Sequence, residues 1–418
     1  SSSLCCSTAL AAQTVILYSV AHLEWMWDSI SWRLQEIPCK HDGNTLDVYW
    51  GSLEGYLAGG RENFDFKSNA TPVIVLVPGI GGDVDSPYIK RMTRSCARNG
   101  WRVALHAYWR LDFHDTKDLT TMLDTIAAEN PSAPIVAVAF SAGGHLLLRY
   151  LQTAGKSSPL AAAVTVSGCF DLFGAITNVC DNENAAYELF LNAQVRTCVK
   201  RHIAHDIVFK PTLDAAGKII APKRDPVEFE AAVIGDAPIG GDAQGEYDRF
   251  LFHLGGYDGE AEAIAKFGAD EPWELMKQTA AHYTKTAAIQ MEKVKVATLI
   301  LHADDDPIVS ARFVDWSTVL ENKHLITMHT RRGGHVAWYQ GLAPFGADWG
   351  ATTTVAFVSA VLETHAQTHF LLDVLRGGGE DGDGDGAEDG DGDRRRDTER
   401  LARITSKSDL ATFRAGST

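Results

Sequence analysis

The sequence predicts an α/β protein: a mostly parallel, doubly wound sheet with a helical cap inserted late in the chain. Three observations predict it. Runs of small and β-branched apolar residues at 72–77, 101–107, 135–140, 160–166, 296–302 and 324–329 read as strands. Those at 72–77 and 135–140 are apolar enough to be buried on both faces. Helical patterns such as Leu119 to Ala128 fall between strands, the alternation that builds a parallel sheet covered on both sides. From Cys169 to about Lys293 the rhythm breaks, and polar residues with short helical patterns replace the strands.

The elements follow in order. Residues 1–35 form an N-terminal apolar or amphipathic segment; 1–21 carry no Asp, Glu, Lys or Arg. Ala9 to Ala21 is too short to span a bilayer, which takes about 20 residues. Two readings stand for it: a truncated membrane anchor or signal segment, giving membrane association, or an amphipathic helix packed on the domain. No localisation is assigned. The core occupies 36–169 and 291–370. In it His41-Asp42-Gly43-Asn44 makes a hairpin-type turn, and Leu46 to Trp50 alternates like an exposed edge strand. Residues 51–71 are rich in Gly and polar residues and read as loop. Ser86 and Pro87 start a helix as N-cap and first helical residue. Residues 170–290 are the helical cap, without a convincing buried strand. Thr352 to His365 closes the core as a helix.

Residues 377–418 are an acidic linker and basic tail. Between 377 and 393 stand eight acids and no base, a composition that stays disordered. An EF-hand reading of the Asp-Gly repeat fails, because the twelfth position counted from Asp381 is Gly392. The net charge of −16 argues against nucleic acid as partner. Seven scattered cysteines without a C-x-x-C spacing indicate neither a zinc site nor a disulfide framework. Cys180 and Cys198 could pair in an oxidising compartment; reduced, partly buried thiols are the expected state. No cofactor and no metal are called for.

The chemistry centres on Ala139-Phe140-Ser141-Ala142-Gly143, a serine between a buried strand and an apolar helix. This is the nucleophile elbow of the α/β-hydrolase fold, with Ala139 where the G-x-S-x-G pattern has glycine. The turn is tight, so the residues two before and two after the serine must be small. After the strand at 72–77, Pro78-Gly79-Ile80-Gly81-Gly82 is placed for one half of an oxyanion hole. The expected donors are the backbone N–H groups of Ile80 and Ala142. Nucleophile, acid and base then occur in the order Ser141, Asp306, His335, each after a strand, the order of α/β-hydrolases. Strand C-termini of a parallel sheet share one edge, so three distant loops converge there. Three adjacent aspartates, 304–306, leave the acid open between Asp306 and Asp305. Asp306 is favoured because Pro307 would turn its loop directly into a helix.

These motifs resemble the abhydrolase-domain 1/2/3 lipase-like family, with the bacterial YheT-like and plant embryogenesis-associated hydrolases. The likeness runs from about Ile37 to His365. It rests on His41 to Asp47, Pro78 to Gly82 with Ser86-Pro87-Tyr88-Ile89, and Phe140 to Gly144. It continues through Tyr247-Asp248, Gly255-Gly256-Tyr257, Ala303 to Pro307 and Gly333-Gly334-His335. The resemblance supports Asp306 as acid. It implies hydrolysis of carboxylic esters with a fatty acyl part, acylglycerols and phospholipids included. Ala139, and Ala107-Tyr108-Trp109-Arg110 in place of the family's N-x-R-G run, depart from the pattern.

The expected activity is therefore that of a serine esterase or lipase acting on a small-molecule acyl ester through an acyl-enzyme. Two alternatives use the same fold: acyl transfer to an alcohol by the same triad, and a non-catalytic binding protein.

Overall fold

The computed structural model describes residues 29–41, 43, 45–53, 70–107, 116–171, 175, 212–213, 219–221, 289–336, 338 and 348–377. The chain divides into two units, 1–365 and 366–418; of the second, only 366–377 are described. In order, the elements are strands β1 (Ile30–Pro38), β2 (Thr45–Leu53) and β3 (Val73–Val77), helix α1 (Pro87–Arg98), strand β4 (Arg102–His106) and helix α2 (Lys117–Glu129). Then come β5 (Ile135–Phe140), α3 (Ala142–Ala154), β6 (Leu160–Val166), β7 (Thr212–Leu213) and β8 (Ile219–Ala221). The described elements close with β9 (Thr298–Ala303), α4 (Trp316–Glu321), β10 (Leu325–Thr330) and α5 (Trp349–Gly377).

Strand β3, Val-Ile-Val-Leu-Val, shows why this sheet forms. All five residues are buried, and β-branched side chains suit a pleated surface. Val73, Val75 and Val77 enter one apolar layer, Ile74 and Leu76 the other. Strand β5 does the same, with Ile135, Ala137 and Ala139 on the first side and Val136, Val138 and Phe140 on the second. Leu119, Met122 and Ile126 of α2 and Leu147 and Leu151 of α3 fill the first layer. Ile89 and Met92 of α1 and Ala351 and Val358 of α5 fill the second. Each Val, Leu, Ile, Met or Phe among them, removed from water, contributes about 1.5–3 kcal/mol. This two-sided burial is the doubly wound arrangement expected from the sequence.

Eight strands lie in the order β1-β2-β4-β3-β5-β6-β9-β10. The run from β4 to β10 is parallel; β2 is antiparallel to β4, and β1 to β2. This is the α/β-hydrolase sheet. Three details differ from the sequence expectation. Residues 30–35, assigned to the N-terminal segment, belong to β1, which forms the edge of the sheet. Strand β2 is therefore internal; Leu46, Val48 and Trp50 are buried between its neighbours. The hairpin between them closes with Gly43, whose φ of 73° suits a residue without a Cβ, and whose N–H donates to the Cys39 carbonyl at 2.9 Å. The last helix is longer than 352–365, starting at Trp349 and running to Gly377.

Of the expected cap at 170–290, the described part includes an antiparallel strand pair, β7 with β8, where the sequence suggested helices alone. The rest of that segment, the N-terminal stretch to residue 28, Tyr108-Trp109-Arg110, Cys180, Cys198 and the acidic tail lie outside the described residues. Cys39, Cys96 and Cys169 are buried free thiols. Among the described residues, no helix is long and apolar enough to cross a membrane.

Two buried histidines make the core acid-sensitive. Burial pushes His106 down to about 3 and His145 down to about 4. Both rings stay neutral in the folded chain at pH values where an unfolded histidine, with a pKa near 6.5, takes a proton. Their stabilising contribution is whole above pH 6.5 and lost as the pH falls from there toward 4. Denaturant unfolding between pH 7.5 and 4.5 is expected to lose a few kcal/mol, on the order of one per unit of pH for each ring. A flat stability profile over this range would contradict the assignment.

Candidate active site

Strand β5 hands the chain to α3 at Ser141, which has φ 52° and ψ −122°. A non-glycine residue in that conformation stores about 1–3 kcal/mol of strain, held by surrounding bonds. Here the holders are backbone groups. Ser141 N–H donates to the Val166 carbonyl at 3.1 Å, and its carbonyl accepts from Gly144 and Cys169 N–H at 2.8 and 3.1 Å. None of these bonds uses the side chain, so the hydroxyl is left for chemistry. Ala139 belongs to the apolar layer that also holds Leu146 and Leu147, and its methyl group is accommodated where the motif has glycine.

Gly143 shows why the elbow needs small residues. A Cβ there would collide with the Pro78 carbonyl oxygen and stand 2.6 Å from that of Val77. Both obstacles are backbone, so neither can swing aside. Gly143→Ala is expected to destabilise the fold by about 3 kcal/mol, measured as a lower denaturant midpoint at unchanged m. Wild-type stability in that variant would show that β3 and α3 are not in this close contact.

His335 follows β10 and reaches both partners. Its Nε2 lies 2.9 Å from Ser141 Oγ. Its Nδ1 lies 2.9 Å from Asp306 Oδ2 and 3.1 Å from Oδ1. A carboxylate can only accept, so Nδ1 carries the proton and the Nε2 lone pair faces the serine hydroxyl. Asp306 is buried, and its Oδ1 also accepts from Ile308 and Val309 N–H at 2.9 and 2.8 Å. Those two bonds replace the helix start expected at Pro307: residues 307–309 bend around the carboxylate, a single 3-10 turn follows at Ala311–Phe313, and the next α-helix begins at Trp316.

The three aspartates after β9 part company. Asp304 meets His329 Nε2 at 2.8 Å. Asp305 turns to the histidine loop, where its Oδ1 accepts from Gly333 and Gly334 N–H, both at 2.8 Å. Asp306 alone of the three meets His335.

Several supporting residues carried no sequence signal. Ser167, at the end of β6 with φ 49°, accepts the Val336 N–H on its Oγ at 3.1 Å. Val336 itself has φ 57°, unusual for a β-branched residue. The buried Trp338 indole packs against Gly333 and donates from Nε1 to Thr330 Oγ1 at 2.9 Å. Together with Asp305, these contacts hold the loop that presents the imidazole. Burial lowers the pKa of His302 below the ordinary histidine value, and its Nε2–H donates to the Val309 carbonyl at 2.9 Å, bracing the Asp306 loop. Burial also pushes the Cys169 thiol upward, so the residue beside the elbow stays uncharged.

The expected oxyanion loop runs beside the serine: a Cβ on Gly79 would be 3.1 Å from Ser141 Cβ. Gly79 N–H donates to the Tyr88 hydroxyl at 3.0 Å, and Tyr88 packs on Phe140 with ring centroids 4.9 Å apart. Ser86 does not cap α1 with its side chain, as the sequence suggested. Its Oγ turns back, accepting from Asp83 N–H at 2.9 Å and donating to Asp83 Oδ1 at 3.2 Å. Among the described residues, no protein acceptor takes the N–H of Ile80 or Ala142.

No family model matches the chain. Curated proteins do. The embryogenesis-associated protein EMB8 of Picea glauca is 26% identical over 337 residues, covering 77% of this chain and 65% of that protein. The phospholipase ABHD3 of Homo sapiens is 23% identical, covering 73% of this chain and 70% of its own. The Escherichia coli protein YheT is 24% identical, covering 74% and 79%. The chain is therefore similar to abhydrolase-domain and esterase proteins of the α/β-hydrolase class. This similarity agrees with the likeness read from the motifs. The chain spans just under two thirds of the spruce protein's length.

Proposed function

We propose that the protein is a serine hydrolase that cleaves carboxylic esters of fatty acyl groups through an acyl-enzyme intermediate. One observation carries the reading: the unbroken path from Ser141 Oγ through His335 to Asp306, with 2.9 Å at each step. The name of the human relative, a phospholipase, supports an acylglycerol, phospholipid or simple ester as substrate class.

A serine hydroxyl becomes a useful nucleophile only when a base removes its proton. His335 Nε2 takes that proton as Oγ forms its bond to the ester carbonyl carbon. Asp306 keeps Nδ1 protonated and stabilises the imidazolium. The oxyanion accepts from Ile80 and Ala142 N–H, each donor contributing about 2.7–4 kcal/mol to the transition state. Collapse expels the alcohol, which leaves with the proton from His335. Water then attacks the acyl-enzyme by the same route, releasing the acid and restoring the serine.

A fluorophosphonate probe should label Ser141, found by mass spectrometry of the modified peptide, and His335→Ala should lose the labelling. An intact chain that resists the probe overturns the reading in favour of a binding protein. Product analysis with added alcohol separates hydrolysis from acyl transfer: free acid as the main product supports the hydrolase, and a new ester supports the transferase.

A further inference from the structure

We propose that Cys39, His41 and Asp118 form a zinc-binding site that ties the β1–β2 hairpin to the start of α2. It stands apart from the serine, histidine and aspartate described above and shares no residue with them.

Cys39 and His41 lie in the turn between β1 and β2, and Asp118 in the first turn of α2. The fold brings their donor atoms within 4.8 Å of one another. His41 Nε2 is 3.1 Å from Asp118 Oδ1, and Cys39 Sγ is 3.9 Å from the same oxygen. Tetrahedral zinc has bonds of about 2.3 Å to sulfur and 2.0–2.1 Å to nitrogen or oxygen. At the tetrahedral angle, those bond lengths set the donors about 3.3 Å (N to O) and about 3.6 Å (S to O) apart. The observed separations differ from these by a few tenths of an ångström, a shift that side-chain rotation supplies.

The chemistry selects the ion. A thiolate with an imidazole and a carboxylate suits a borderline-soft cation, whereas magnesium and calcium prefer oxygen alone. Binding releases the thiol proton, so the thiolate and the carboxylate together balance the +2 charge. The N-terminal end of α2 opposes a cation with roughly half a positive charge, which two anionic ligands outweigh. The neighbouring cations, Lys40 and Lys117, are exposed. Three protein ligands leave a fourth position for water on the His41 side, where the imidazole is 20% exposed. Cys39 itself is buried at 3% exposure, which places the sulfur on the inner side.

The sequence conceals the site. Cys39-x-His41 is not a zinc spacing on its own, and Asp118 arrives only because β4 pairs beside β2 and leads on to α2.

Titration of the full chain with zinc ion alone, against a competing chelator dye, tests this. One equivalent should bind with submicromolar affinity and release about one proton. Cys39→Ser, His41→Gln and Asp118→Asn should each weaken binding at least tenfold. Cobalt(II) in place of zinc should give a thiolate charge-transfer band that Cys39→Ser abolishes while Cys96→Ser and Cys169→Ser keep it. Should Cys39→Ser fail to fold, His41→Gln and Asp118→Asn decide, because both change partly solvated side chains. No uptake below the micromolar range, or uptake indifferent to His41 and Asp118, overturns the proposal. The readout is metal binding, so it is independent of esterase activity.

Discussion

Ser141→Ala is expected to lower kcat on p-nitrophenyl esters of medium-chain acids by about 10⁶-fold, the loss seen when a triad nucleophile is removed. The physical reason is that no other group on the path can form the acyl bond. His335 would face a methyl group, and attack by water would have only the oxyanion donors and binding to help it. The fold should persist, because Ser141 makes its structural bonds through N–H and carbonyl, to Val166, Gly144 and Cys169. Unfolding free energy is therefore expected to move by less than about 1 kcal/mol. Steady-state kinetics beside denaturant unfolding reads both quantities. Turnover near the wild-type level in a folded variant would place the nucleophile elsewhere and sink the proposed mechanism.

The second large effect separates neighbouring aspartates. Asp306→Asn should lower kcat by about 10⁴-fold, because an amide facing Nδ1 favours the wrong tautomer and no longer stabilises the imidazolium. Asp305→Asn should behave differently. The Asp305 carboxylate accepts two backbone N–H groups of the histidine loop, and an asparagine carbonyl oxygen can still accept them. Its kcat should fall by no more than about 10²-fold, the range for a supporting residue whose loss loosens the site. Equal losses in the two variants, or a larger one for Asp305, would exchange the assigned roles.

Much of this was legible in the chain. Strands β3 and β5 announce themselves because burial on both faces demands unbroken apolar residues, and that demand is written locally. The elbow is legible for the same reason: a sharp turn excludes side chains, so Gly143 marks it. The chain order of Ser141, Asp306 and His335 survives folding because parallel strands send their ends to one edge.

Other features were not legible. Strand β1, Ile30-Ser31-Trp32-Arg33-Leu34, mixes polar and apolar residues because it forms the sheet edge, so its pattern blurs into the segment before it. Asp304, Asp305 and Asp306 are chemically identical, and only the path of the loop assigns each a partner. Ser167 acquires its role because β6 ends beside the histidine loop, a neighbourhood 169 residues wide in sequence.

The amino-acid sequence alone determined the class of fold, the elbow and the chain order of Ser141, Asp306 and His335, since each follows from burial or sterics within a few residues. The tertiary structure decided which carboxylate meets the imidazole, what braces its loop, and which side chains gather at the β1–β2 turn. Those outcomes depend on ångström-scale distances between loops far apart in the chain, and no local pattern encodes them.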